Sequence, residues 1–279
     1  MNILFTGCSS YIGMYLIKEF LKTDNKIYGI SRNNPKIKNK KFKWFKHDLS
    51  KLPFKKIKKV DIIIHIAGAA LRKENQYTDY VTGNVLMAYN LSLSAKFYSP
   101  KVIFYTSTRE IYGDISASVL TEKNDIKNPI FYGQTKFLAE QILASNCNTI
   151  SLRLPAVLGK GTHGWISGVL KSMLKNQKIN FINSKFNNFI HVSDLYNIIS
   201  SFLKKNYFFT DQFNVSCSNV ITSKKVLLIM KKFLLSKSQI IQQKKKTSSY
   251  TISNTKLSKY CNTMTVENSI KKYLIEENQ

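Results

Sequence analysis

Tyr132 and Lys136, in the stretch Phe131-Tyr-Gly-Gln-Thr-Lys136, are the residues of this chain best suited to chemistry. Four positions apart on a helix, their side chains share one face. A phenol with a free pKa of about 10 is a poor acid or base near neutral pH. A neighbouring ammonium favours the phenolate and draws that pKa toward the working range. Such a pair moves the hydroxyl proton of an alcohol while a hydride leaves the same carbon. Alone, Tyr-x-x-x-Lys is a weak signal, because two surface residues at that spacing occur by chance in many helices. Two companions strengthen it here: a hydroxyl-bearing strand end at Ser107-Thr108, and a glycine-containing loop near the N-terminus.

That loop, Thr6-Gly-Cys-Ser-Ser-Tyr-Ile-Gly13, separates an apolar strand from a helix. Gly7 permits a tight turn and Gly13 permits close helix–strand packing. The amides at the helix N-terminus, around Ser10, Tyr11 and Ile12, would face a pyrophosphate. Ser10 takes the place of a middle glycine, where it either crowds a phosphate or donates its hydroxyl to one. The plain alternative is an ordinary strand–helix turn. The second strand ends in Ser31-Arg32 with no carboxylate. An Asp or Glu there would hold the ribose 2′-hydroxyl of NAD; an Arg suits a 2′-phosphate, so NADP is favoured, with NAD as the other candidate. Arg32 as a merely solvent-facing residue is the bland reading. Asp48 and Leu49 follow the third strand, where the carboxylate would accept from an adenine amino group, and Ala67-Gly68-Ala69 would pass beside the dinucleotide.

The elements that position these residues alternate. Apolar strands are expected at 3–6, 26–31, 42–45, 60–65, 102–107 and 149–154, with helices at about 12–21, 83–96 and 131–145. Continuous apolar strands between helices mean a parallel sheet covered on both faces. The expected class is therefore α/β, a doubly wound Rossmann sheet over residues 1–155. Beyond Pro155 lies a smaller C-terminal lobe, 156–279, partly interleaved with the first domain. It carries helices at about 167–175, 195–203 and 226–235, and a short strand at about 188–192.

At 279 residues and 43% hydrophobic, the chain has ample core for this plan. No apolar run reaches the length of a membrane span, and Met1-Asn-Ile-Leu-Phe enters a buried strand at once, so no leader is expected. Four scattered cysteines and four scattered histidines suggest reduced thiols, a cytoplasmic protein and no metal. The net charge of +27 would ordinarily suggest nucleic acid or an anionic membrane. The abundance of Asn, Ile, Phe, Tyr and Lys together points instead to AT-rich coding and solvated faces, and no nucleic-acid partner is expected. A positive field would still draw in a dianionic sugar nucleotide.

Taken together, the motifs resemble those of the extended short-chain dehydrogenase/reductase group, in particular the nucleotide-sugar epimerase/dehydratase family. Thr6-Gly7 to Gly13 is similar to the family's nucleotide loop, His65-Ile-Ala-Gly-Ala69 to its fourth-strand motif, and Asn84 to the Asn of the following helix. Ser107-Thr-Arg-Glu-Ile-Tyr-Gly-Asp114, Tyr132-x-x-x-Lys136, Arg153 to Gly159 and Asn188 to Asp194 come in the family's order. The resemblance implies that Thr108 binds the reacting oxygen and that Tyr132 is the acid/base. Lys136 would bind the nicotinamide ribose and depress the Tyr132 pKa. It also implies a substrate-binding role for the C-terminal lobe, a homodimer, and use in surface-polysaccharide sugar supply.

Family dehydratases place Asp-Glu after the Thr; here the pair is Arg109-Glu110, and Arg cannot donate as a carboxylic acid can. Net dehydration is therefore disfavoured, while Glu110 remains a candidate base or substrate-orienting group. A substrate-contacting Asn near Ala156 and a diphosphate-clamping Arg near Asn188 are absent, leaving Arg153 or the tail lysines to compensate. The reading is an NAD(P)-dependent oxidoreductase acting at a sugar carbon, C4 first, of a nucleotide-activated hexose, as 4-keto-sugar reductase or 4-epimerase. The alternatives are a sugar-nucleotide decarboxylase, or a catalytically silent NADP-binding regulator or RNA-associated protein on the same fold.

Overall fold

The computed structural model describes residues 1–244 and 249–278. One seven-stranded sheet is built from β1 (Asn2–Thr6), β2 (Lys26–Ser31), β3 (Phe42–Lys46), β4 (Ile62–His65), β5 (Val102–Thr108), β6 (Thr149–Leu154) and β7 (Asp211–Asn214). Their order is β7-β6-β5-β4-β1-β2-β3, and β3, β2, β1, β4 and β5 pair in parallel. All four residues of β4 and all six of β6 are buried, as expected of strands covered on both faces. The chain runs outward from β1 to β3 and then returns to lay β4 on the other side of β1. The strand order thus reverses between β1 and β4, and that reversal opens a crevice at their carboxyl ends.

Helices α1 (Tyr11–Phe20), α2 (Met87–Tyr98) and α3 (Phe131–Ala144) cover the sheet. On one face Phe5 of β1 meets Phe20 of α1, with 5.9 Å between ring centroids. On the other, Leu4, Ile63 and Ile103 form a core with Leu91 and Ala95 of α2 and Ala139 and Leu143 of α3. The chain enters α2 differently from expectation. Residues Tyr77–Tyr80 are already helical, and Val81–Leu86 form a π-helical turn before α2 begins. Such turns put one extra residue into a helix and rotate the side chains beyond it to a new direction.

The chain divides into two compact units. Met1–Asp114, Asn124–Arg153 and Ile199–Phe213 make the first, and Ile115–Lys123, Leu154–Ile198 and Asn214–Gln279 the second. In the second unit, α4 (Trp165–Leu174), α6 (Ser223–Phe233) and α7 (Val266–Glu277) bury Leu170, Met173, Val226, Leu227, Met230, Ile270 and Leu274 in one core; α5 (Val192–Lys204) lies between α4 and α6 in the chain. Short parallel pairs join Ala156–Leu158 to Phe189–His191 and Ile179–Phe181 to Ile240–Gln242. The tail holds a long helix beyond the one its pattern predicts. This helix, α7, is capped by Thr265, whose hydroxyl accepts from the Asn268 amide at 3.2 Å.

Candidate active site

Thr108 ends β5 in extended backbone, and its hydroxyl accepts from the Glu110 amide at 3.2 Å. That bond starts a 3-10 turn over Arg109–Tyr112. Two residues into α3, a Cβ on Gly133 would collide with the Glu110 carbonyl. Its absence lets the helix backbone lie directly on the turn. This close approach brings Tyr132 beside Thr108, whose hydroxyl acts on the phenol to lower its pKa.

Lys136, one turn further along α3, is buried. Its ammonium donates to the Thr106 carbonyl at 2.6 Å and stands 4.3 Å from the centroid of the Tyr105 ring. Burial pulls its pKa down to about 7, against an opposing pull from Glu140. The expected depression of the Tyr132 pKa is not what the geometry gives. Burial pushes the phenol up to about 12, the negative field of Glu110 adds to the rise, and the nearby Thr108 hydroxyl only partly offsets both. The reason is placement: Lys136 spends its ammonium on the β5 backbone and is itself weakened by desolvation.

A chain of hydrogen bonds fixes the helix on the sheet. The Ala69 amide donates to the Asn84 side-chain oxygen at 3.0 Å. Asn84 Nδ2 donates to the Thr135 hydroxyl at 3.0 Å, and that hydroxyl donates to the Tyr132 carbonyl at 2.9 Å. Asn84 is buried within the π-helical turn, so the extra residue of that turn is what aims it at α3. Glu110 is ion-paired with Arg109 at 2.8 Å, both partly exposed. Arg153 is tied elsewhere: it forms a buried pair with Glu140 through two hydrogen bonds, at 2.9 and 3.3 Å, and donates to the Tyr112 hydroxyl at 2.9 Å. These bonds take three of its five N–H donors, and the side chain is buried. Of the tail lysines, Lys245 and Lys246 lie outside the described residues.

The crevice at the reversal point holds a cavity of about 350 Å³. It is lined by the ends of four strands: Gly7 and Ser10 after β1, Arg32 after β2, Asp48 and Leu49 after β3, and Ala67 and Gly68 after β4. Gly7 adopts a φ of +69°, and a Cβ there would stand 2.7 Å from the Ala67 amide nitrogen, so only glycine allows the β1 and β4 loops to come this close. Gly13 serves packing, since a Cβ on it would reach 2.5 Å from the Gly7 carbonyl. Ser10 has a local structural role. Its hydroxyl donates to the Gly7 carbonyl at 2.8 Å and accepts from the Gly13 amide at 3.1 Å, which makes it the cap of α1. Tyr11 and Ile12 open α1, and Ala69 lines an adjoining cavity of about 420 Å³. The Asp48 carboxylate accepts from the Ser50 hydroxyl at 2.6 Å, which, with Arg32 among the lesser causes, holds its pKa below the usual range.

Three residues take parts that the sequence did not assign them, Thr6 and His65 from within the quoted motifs and Arg72 from outside them. The Thr6 hydroxyl accepts from the Ile66 and Ala67 amides at 3.2 and 3.1 Å and meets His65 Nδ1 at 2.6 Å, joining β1 to the end of β4. Buried His65 is kept neutral, its pKa lowered to about 3 by desolvation and the Lys136 charge. Arg72, in the loop after β4, lines both cavities. Thr6 and His65 were marked by their motifs; Arg72, next to Lys73 in the loop after β4, carried no such mark.

The nucleotide loop, the end of β5, Tyr132 and Lys136 lie in the first unit, together with the reversal-point crevice. The model of the NAD dependent epimerase/dehydratase family matches residues 3–216. The chain belongs to that family. It is 29% identical over 174 residues to a UDP-glucose 4-epimerase of Caenorhabditis elegans, a match covering 51% of this chain and 48% of the relative. It is 26% identical over 254 residues to a CDP-abequose synthase of Salmonella muenchen, covering 86% of this chain and 83% of the relative. The first of these matches thus spans about half the length of the relative. A UDP-glucuronic acid 4-epimerase from Bacillus cereus, solved in complex with NAD, superposes with a TM-score of 0.82 at 19% identity, over 99% of this chain and 95% of that one. That likeness is one of fold.

Proposed function

We propose that the protein transfers a hydride between a nicotinamide dinucleotide and a sugar carbon, C4 first, of a nucleotide-activated hexose, as a 4-keto-sugar reductase or a 4-epimerase. One observation carries the reading: Tyr132 stands close enough to Thr108 for the threonine hydroxyl to act on its phenol, beside a strand-end crevice, with buried Lys136 one helical turn away. The crevice suits a dinucleotide because Gly7 leaves its floor free of side chains and the first turn of α1 turns its amides toward a pyrophosphate. The bound nicotinamide would supply or accept the hydride. The relatives named as acting on UDP-glucose or making CDP-abequose support a nucleotide-sugar substrate.

The residues do the rest. With its pKa pushed to about 12, Tyr132 holds its proton through the neutral range, so the resting site presents a donor to the oxygen of a ketone. The Thr108 hydroxyl, held by the Glu110 amide, offers a second hydrogen-bond partner for the same oxygen. Glu110 is neutralised by Arg109 and stays available to orient a sugar hydroxyl. A donor-ready phenol favours the reductive half-reaction, which a reductase and the second half of an epimerase share. Arg32 in place of a carboxylate favours NADP over NAD.

Fluorescence titration tests the cofactor side. NADPH should bind more tightly than NADH, and Arg32→Ala should weaken NADPH about tenfold or more. Equal binding of both, unaffected by the substitution, would move the reading to a cofactor-recycling NAD epimerase.

A further inference from the structure

A second arginine shares the proposed 2′-phosphate site. Arg32 follows β2 and Arg72 belongs to the loop after β4, and both line both of the adjoining cavities. They therefore face one opening from two different strand ends. The Arg72 backbone is held in place: the buried Tyr80 hydroxyl donates to its carbonyl at 3.1 Å and accepts from its amide at 3.4 Å. Tyr80 in turn packs on Tyr132, with 5.6 Å between ring centroids. The guanidinium itself is mostly exposed and meets Glu74 only loosely, at 3.9 Å, a pairing that contributes little in water. A fixed Cα with a disengaged cation is suited to receiving an anion with little further ordering.

The other groups at the opening leave room for this role. The Ser31 hydroxyl, at the position of a ribose-binding carboxylate, is committed: it donates to the Asn33 carbonyl at 2.6 Å and accepts from Trp44 Nε1 at 3.1 Å. Asp48 is engaged by Ser50, and Asp79 accepts from the Gln76 amide at 2.8 Å. The groups at the rim that suit an anion are two planar guanidinium forks, which stand beside the carboxylates of Asp48 and Asp79.

We propose that Arg72 is a second determinant of cofactor choice, and that Arg32 and Arg72 together take the 2′-phosphate of NADP from opposite sides. This rests on the NADP reading above. The test is titration of the full chain with NADPH, NADH and 2′,5′-ADP, comparing the parent protein with Arg32→Ala, Arg72→Ala and Arg72→Lys. Arg72→Ala should weaken NADPH and 2′,5′-ADP about tenfold or more and leave NADH within about twofold. Arg72→Lys should fall between, because it keeps the charge and loses the fork. If Arg32→Ala weakens NADPH while Arg72→Ala does not, the role of Arg72 is refuted and the NADP reading stands. Equal weakening of NADH and NADPH by Arg72→Ala also refutes it, since Arg72 would then bind a part common to both. If the parent binds NADH as tightly as NADPH and neither alanine variant changes this, both readings fall together.

Discussion

At the scale of single residues, the site depends on where two titratable groups spend their hydrogen bonds. Lys136 is buried against Thr106 and the Tyr105 ring with a pKa lowered to about 7, while that of Tyr132 is raised to about 12. For the lysine the consequence for folding comes from proton counts. Between pH 7 and the ordinary lysine value of 10.5 the unfolded chain binds the proton that the folded one has released, so stability rises with pH through that window. Below it both states are protonated and the cost of burying the charge is present in full. Thermal melts of the cofactor-free protein should therefore show a midpoint climbing from about pH 7 to about pH 9, with that slope reduced in Lys136→Met. A slope unchanged by the substitution would place its origin elsewhere. The Tyr132-Lys136 spacing was legible in the sequence; the direction of the Tyr132 shift was not. It depends on desolvation and on a lysine turned toward the strand backbone, neither of which a four-residue spacing encodes.

At the scale of elements, the turn after β5 and the first turn of α3 touch through backbone alone. Gly133→Ala would put a methyl into the Glu110 carbonyl, and neither backbone yields cheaply. Turnover should drop by about a hundredfold or more from misplacement of Tyr132, while NADPH binding, which draws on the ends of β1 to β4, is largely kept; a variant that loses both equally would argue against this division. Behind α3 the Arg153–Glu140 pair is buried and bidentate. Removing one member leaves an uncompensated charge, and Glu140→Ala should cost about 3–5 kcal/mol in denaturant unfolding. The central strands of the sheet were readable as apolar runs, and β2 and β6 fall where the pattern put them; β7, Asp-Gln-Phe-Asn, has no such run and was missed. The helix α7 carried a usable signal, with Val266, Ile270, Tyr273 and Leu274 on one face and Thr265 as cap. It was obscured by a Lys- and Ser-rich setting. The two- and three-residue strands of the second unit are too short for any period to register, and the π-helical turn that aims Asn84 has no marker in residue type.

For the whole molecule, 43 Lys and Arg against 16 Asp and Glu leave a positive field around a site that would take anions. Association of NADPH should slow as salt rises, because a field of this kind acts beyond contact distance and is screened within about 10 Å at about 0.1 M. Stopped-flow rates that do not depend on ionic strength would reduce the charge to composition alone. The same charge motivated the RNA-associated alternative, which predicts a steep, salt-sensitive RNA binding curve; a featureless curve at low salt would remove it. The proposed function as a whole stands or falls on hydride transfer to a sugar. NADPH deuterated at the transferring position, offered with a set of nucleotide 4-keto-hexoses and followed by NMR, tests this most directly. Deuterium should arrive at C4 of at least one sugar with the parent protein and at none with Tyr132→Phe, although that variant still binds NADPH. Transfer undiminished in Tyr132→Phe would contradict the role of Tyr132, and no transfer to any of the sugars by the parent would contradict the reductase reading.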